Sequence, residues 1–315
     1  MNLAYSHACL NRAALFQKLG GYESALSAAQ EALDAVDSET GRGAEQIRLQ
    51  AWGMIGNMHR QLARYPEAEK YLARALDFAV QVFGDAADET SIARNHLGVL
   101  YKYTGEFDKG ESLYRAALTN LIEKHGETNS IVAVLYHNLG GILHARGDFT
   151  AGEPYARKAW EINRELLGED HPATLADAAA YAGVLDGLER YDESEPIYLR
   201  VLEVFEKTYG AEHYEVAVNV NNLAGVRFRR GDDAGAESLF RRALQVKEKI
   251  LGAEHPDTAL TAYNLGVLLQ KTNRDEEARE QFARALRVFQ ARLGAEHPKT
   301  VAARQRIASK NETAY

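Results

Sequence analysis

Glycine recurs along this chain at Gly41, Gly84, Gly126, Gly168, Gly210, Gly252 and Gly294, first after 43 residues and then after every 42. A fixed interval of this length marks one supersecondary unit copied along the chain. It removes the two-domain globular fold that 315 residues would otherwise suggest. What remains is an array with one quasi-one-dimensional core, in which each copy buries its apolar face against its neighbours.

The stretch from Ala217 to Gly252 defines the unit. Ala217 to Arg230 reads as a helix carrying Val218, Leu223, Ala224 and Val226. Gly231 then suits a left-handed C-cap, and Asp232-Asp233 suits the next helix start. A second helix from about Ala234 to Leu251 puts Leu239, Phe240, Ala243, Leu244 and Val246 on one face, and Gly252 ends it. Pro256 follows near a first helical turn, where its missing N–H costs little. Each unit is therefore expected to be an antiparallel helix pair.

Three columns keep small residues. They are Ala13, Gly56, Gly98, Gly140, Ala182, Ala224 and Gly266 on the first helix, and Ala25, Ala68, Gly110, Gly152, Ser194, Ala236 and Ala278 on the second. A third runs Ala32, Ala75, Ala117, Ala159, Val201, Ala243 and Ala285. Such positions let helix backbones approach closely. The neighbouring column Leu33, Leu76, Leu118, Trp160, Leu202, Leu244 and Leu286 is expected to fill the gaps.

With Leu251-Gly252-Ala253-Glu254-His255-Pro256-Asp257-Thr258 followed by Tyr263-Asn264-Leu265-Gly266, the pattern resembles the tetratricopeptide repeat in its 42-residue form, similar to the kinesin light chain. Equivalent linkers start at Leu167 and Leu293. The resemblance covers nearly the whole chain. It implies an all-α solenoid of seven antiparallel helix-pair repeats in a right-handed superhelix, with the first helices lining a concave groove. The repeats fall at about 1–41, 42–84, 85–126, 127–168, 169–210, 211–252 and 253–299, with a C-terminal capping helix and tail over 300–315. That last helix is read from Thr300 to about Asn311, with a polar outer face of Arg304, Gln305, Arg306, Ser309 and Lys310. The N-terminus starts on Leu3, Ala4, Ala8, Leu10 and Leu15 without a polar capping helix, so a native chain that continues upstream is expected.

The resemblance also places a ligand-facing Asn before the Leu-Gly pair. Here that column reads Asn11, Met54, His96, Asn138, Ala180, Asn222, Asn264 and Arg306. The preceding column adds Asn95, His137, Asn221 and Tyr263, and Asn57 lies close by. An amide both donates and accepts, so it can hold an extended backbone without selecting side chains. The alternative role for these amides is to tie neighbouring repeats together. Further along the same helices come Lys18, Arg60, Lys102, Arg229 and Lys271, with Arg306 on the cap, opposed by Asp186. That face carries +5, within a chain whose net charge is −8. An acidic segment of a protein or peptide is the partner this asymmetry favours. His96, His137 and His144 add charge at lower pH. Tyr103 and Phe228 share the phase but read as packing. Gly141, Gly183, Gly187 and Gly225 either leave bare floor for a ligand backbone or reflect tight helix packing.

Other classes find little support. The acidic balance opposes nucleic acid as a partner. No apolar run reaches membrane-spanning length, and the first residues lack a signal-peptide pattern. Cys9 is the single cysteine, which suits a reducing, cytoplasmic setting. His171, His213, His255 and His297 recur beside acidic residues, but 42 residues apart they cannot converge on one ion, so a role in the turn is expected and no metal or cofactor. No phosphate loop, nucleophile elbow or His-Glu-x-x-His occurs. The sequence thus reads as a non-catalytic interaction scaffold. The alternatives are a sensor domain of a larger switch and a self-assembly module.

Overall fold

The structure, a computed structural model, describes residues 2–308. Fifteen helices and no strand occur among them. They are α1 (Asn2–Lys18), α2 (Tyr22–Asp34), α3 (Arg42–Gln61), α4 (Tyr65–Phe83), α5 (Asp88–Thr104), α6 (Phe107–His125), α7 (Ser130–Arg146), α8 (Phe149–Leu167), α9 (Pro172–Gly187), α10 (Tyr191–Tyr209), α11 (Tyr214–Arg229), α12 (Asp233–Leu251), α13 (Pro256–Lys271), α14 (Asp275–Leu293) and α15 (Pro298–Ala308). Odd-numbered helices are the expected first helices and even-numbered ones the second. α15 is the expected terminal helix. Ser309, Lys310 and Asn311, assigned to it from sequence, lie outside the described residues.

Two turn types alternate. The 42-residue glycines sit at φ near +90° with an extended ψ, as at Gly168 (φ 88°, ψ 165°) and Gly252 (φ 84°, ψ 165°). An L side chain is strained there whatever space surrounds it. Space is indeed free, since a Cβ built on any of the seven meets nothing within 4 Å. The turn between a first helix and its second differs. Gly20, Ala63, Gly105, Gly147, Glu189, Gly231 and Asn273 occupy positive φ, from 55° at Ala63 to 88° at Gly147. After each, the next N–H reaches back five residues, as Arg190 N to Leu185 O and Asp232 N to Arg227 O, both 2.9 Å. This is the Schellman closure expected at Gly231 and found at all seven turns.

The recurrent histidines cap helices. His171, His213, His255 and His297 each accept a backbone N–H at Nδ1 from two residues on, at 3.1–3.2 Å. Asp232 caps α12 through Oδ1 to Gly235 N at 2.9 Å, as its sequence position suggests.

The three small columns are buried throughout. A Cβ on Gly56 would lie 2.5 Å from Leu72, one on Gly98 2.6 Å from Tyr114, and one on Gly266 2.9 Å from Phe282. The large residues that fill this space are Leu72, Tyr114, Tyr198, Phe240 and Phe282, with Ala29 and Ala156 completing their column, all 3% exposed or less. The column expected to do so is displaced. Leu33, Leu76, Leu118, Trp160 and Leu286 are half-buried, and only Leu202 and Leu244 are buried. These side chains also reach the following helix pair, as when Leu33 packs with residues of its partner α1 and of the next first helix α3, and Trp160 of α8 stacks on Tyr181 of α9.

The helices gather into two compact units, dividing between Leu135 and Tyr136 within α7. The sequence implied one unbroken core. In a stack whose elements touch only near neighbours, contacts group locally, which is why such a chain divides.

Candidate functional site

In the second unit, first helices α7, α9, α11 and α13 form a cleft of about 270 Å³ with Phe149 of α8 and Tyr198 of α10. Asn221, Asn222 and Arg229 of α11 and Asn264 of α13 line it, together with His144, Gly183, Asp186, Gly187, Gly225 and Leu260. Helical phase explains the grouping. Asn222, Gly225 and Arg229 lie three and four residues apart, hence on one face.

The amides form a short ladder. Asn264 Nδ2 donates to Asn221 Oδ1 at 3.3 Å, and Asn221 Nδ2 donates to Asn222 Oδ1 at 3.4 Å. Asn221 is buried, while Asn222 and Asn264 remain half-exposed. The amides tie α11 to α13, the alternative role weighed from sequence, and they also line the cleft. Gly225 is open floor, with nothing within 4 Å of a built Cβ. Gly187 is not. The Phe149 ring lies 2.2 Å from where its Cβ would stand, so this glycine serves packing.

Asp186 is the buried charge of the cleft. Its carboxylate accepts from Ser194 Oγ and from Tyr198 Oη (3.0 Å). Burial pushes its pKa up to about 6, against the pull of those two donors and of Arg229. Arg229 is exposed, and its Nη1 reaches the Asp186 carbonyl at 3.5 Å. A cation with free donors, amides of both polarities and bare backbone can together meet a peptide and a carboxylate.

The first unit has its own cleft of about 530 Å³, where Asn11 and His96 meet Gln46, Gln50, Met54, Asp88, Glu89 and Ile92. His96 brings no charge, because burial, with Arg60 adding repulsion, pushes its imidazole down to about 4. The remaining expected residues are dispersed. His137 is bound through Nδ1 to the buried Asp177 carboxylate at 2.7 Å, and Asn163 holds the other oxygen at 2.6 Å. Tyr263, half-buried, packs its ring 5.5 Å from Phe282 against the core. Arg60 lies over the Tyr103 ring at 4.9 Å. Lys271 lies over Phe228 at 4.7 Å and pairs with Asp233 at 2.7 Å. Asn57, Asn95, Lys102 and Asn138 are half-buried on α3, α5 and α7 and line neither cleft. One cation of the +5 face expected from sequence, Lys271, is thus offset by Asp233 on a second helix, which a count along the first helices omits.

Sequence reasoning missed Phe149, Tyr198 and Leu260. Tyr198 was findable, since it belongs to the buried column that faces the small first-helix positions. Phe149 was findable too, since second helices open on Tyr22, Tyr65, Phe107, Phe149 and Tyr191, and Leu260 shares an apolar column with Ile92, Val134, Ala176 and Val218.

A family model described as tetratricopeptide repeat matches residues 47–123 and 214–291, and a second of the same description matches 132–173 and 182–215. The chain belongs to the tetratricopeptide repeat family. No curated protein matches it. Among solved structures it is similar to NprR in complex with its cognate peptide NprX, at 13% identity and TM-score 0.72, covering 99% of this chain and 85% of that one. It is similar to the Rap conjugation gene regulator of plasmid pLS20 in complex with the Phr* peptide, at 18% identity and TM-score 0.72, covering 92% and 76%. It is also similar to BtubC (BKLC) from P. vanneervenii, at 23% identity and TM-score 0.50, covering 76% and 93%. At these identities the likeness is one of fold. Among the described residues, no helix is long and apolar enough to cross a membrane.

Proposed function

We propose that this protein is a non-catalytic scaffold that binds a peptide segment of a partner, with acidic side chains, in the cleft of α9, α11 and α13. The observation that carries the reading is the convergence of Asn221, Asn222, Asn264 and Arg229 on one cleft over the open floor of Gly225. The amides serve the ligand backbone and Arg229 an acidic side chain. The reading is also supported by two proteins of like fold, NprR and the pLS20 Rap protein, whose solved structures hold peptides.

The test is selection from a displayed random-peptide library, followed by fluorescence anisotropy of the selected sequences. Enrichment of Asp and Glu is expected, with affinity falling at least about tenfold in Asn222→Leu/Asn264→Leu, the loss of two hydrogen bonds. Equal affinity in that variant, with native helicity, rejects the cleft as the site.

A further inference from the structure

The cleft of about 530 Å³ in the first unit differs in chemistry from the cleft that holds Arg229. Its walls come chiefly from α3 and α5, with residues of α1 beside them. Gln46, Leu49, Gln50 and Gly53 of α3 follow the i, i+3, i+4, i+7 spacing of one helix face, and Glu89, Ile92, Ala93 and His96 of α5 repeat it. Gly53 has no side chain, so the His96 ring settles against α3, its Nδ1 3.2 Å from where a Cβ would stand. The side chains of Gln46, Gln50 and His96 make no hydrogen bond among the described residues, nor does that of Asn11 from α1. Charge, by contrast, is already neutralised. Asp88 pairs with Lys124 and His125, each at 3.0 Å, and Glu89 with Arg42 at 3.6 Å. Burial keeps His96 uncharged. Leu10, Leu49, Met54 and Ile92 make the rest of the wall apolar, and Ile92 is 42% exposed.

We propose that this cleft is a second binding site, which takes an uncharged peptide segment with apolar side chains. A peptide group both donates and accepts. So do the Gln46 and Gln50 amides and a neutral imidazole, and each can meet the ligand's backbone. Leu49, Met54 and Ile92 give up water to apolar side chains of the ligand. A charged ligand group would lose hydration here and find no open counter-charge. The volume lies in the range of pockets that enclose a drug-sized ligand, which suits a few residues rather than a folded domain. The two clefts of the chain thus select oppositely, Arg229 favouring acidic side chains and the α3–α5 cleft rejecting charge.

Selection from a random-peptide library against the full chain carrying Asn222→Leu/Asn264→Leu separates this site from the second-unit cleft. The enriched sequences should carry Leu, Ile, Met or Phe beside uncharged polar residues. By fluorescence anisotropy, their affinity for the wild-type chain should change less than about twofold between about 0.05 and 0.5 M salt. Ile92→Glu, at an exposed position, should weaken them at least about tenfold, because it sets a carboxylate against an uncharged ligand. Gln50→Ala should weaken them about two- to tenfold, through one lost hydrogen bond. Circular dichroism should be unchanged in both. Enrichment of Asp, Glu, Lys or Arg overturns the proposal, and so does the absence of any enriched sequence. Wild-type affinity in either folded variant does the same, since the peptides would then bind elsewhere.

Discussion

At the scale of single residues, two regions of positive φ separate what must be glycine from what need not be. At Gly168 the pair (88°, 165°) lies where only glycine rests without strain. At Glu189, φ 61° lies in the left-handed region that other residues enter at modest cost. Gly168→Ala should therefore lower the unfolding free energy by about 1–3 kcal/mol. Glu189→Gly should raise it by up to about 1 kcal/mol. Urea titration of both variants checks the pair, and a stability equal to wild type in Gly168→Ala would contradict the strain argument. Asp186 supplies a pH effect. Its folded pKa, about 6, stands above the ordinary 3.8, so the native state holds the proton more tightly than the unfolded chain. Its contribution to stability is complete below pH 4 and lost as pH rises through 6. Relative to Asp186→Asn, the wild type should lose up to about 3 kcal/mol between pH 4 and pH 7. A difference that stays flat over that window would mean that water or a counter-charge offsets the burial.

At the scale of helices, the pairing rule is volume exchange between two columns. Gly140 faces Ala156, whose backbone N would lie 2.9 Å from an added Cβ. A side chain meeting backbone cannot rotate away, so Gly140→Leu must separate α7 from α8. The expected cost is about 1–3 kcal/mol or more, read as a fall in melting temperature. An unchanged Tm would show that the register of these helices is wrong. The small half of this exchange was legible in sequence because it is nearly always Ala or Gly. The large half was not, because its members run Ala29, Leu72, Tyr114, Ala156, Tyr198, Phe240 and Phe282, and this variation hides the column until its partners are seen across from it. The histidine caps were legible as turn residues by their spacing, but the bond each makes was not.

At the scale of the whole molecule, net charge bears on how a ligand arrives. The chain carries −8, so an acidic peptide is repelled at long range and attracted only near Arg229 and the amides. Substituting Arg229→Ala should weaken a selected acidic peptide and flatten the salt dependence of its affinity between about 0.05 and 0.5 M salt, measured by anisotropy. Wild-type affinity that does not change with salt would remove the ionic contact from the reading. The sequence by itself determined the repeat interval, the helix pairs, their turns and the close-packed small positions. These are local or periodic properties, and each copy restates them. Only the tertiary structure decided which polar residues meet. Asn221, Asn222, Asn264 and Arg229 share a cleft, while His137 turns to Asp177 and Lys271 to Asp233. Whether a side chain faces a ligand or a neighbour depends on charges and volumes supplied by the adjoining helices, which no spacing along one helix encodes.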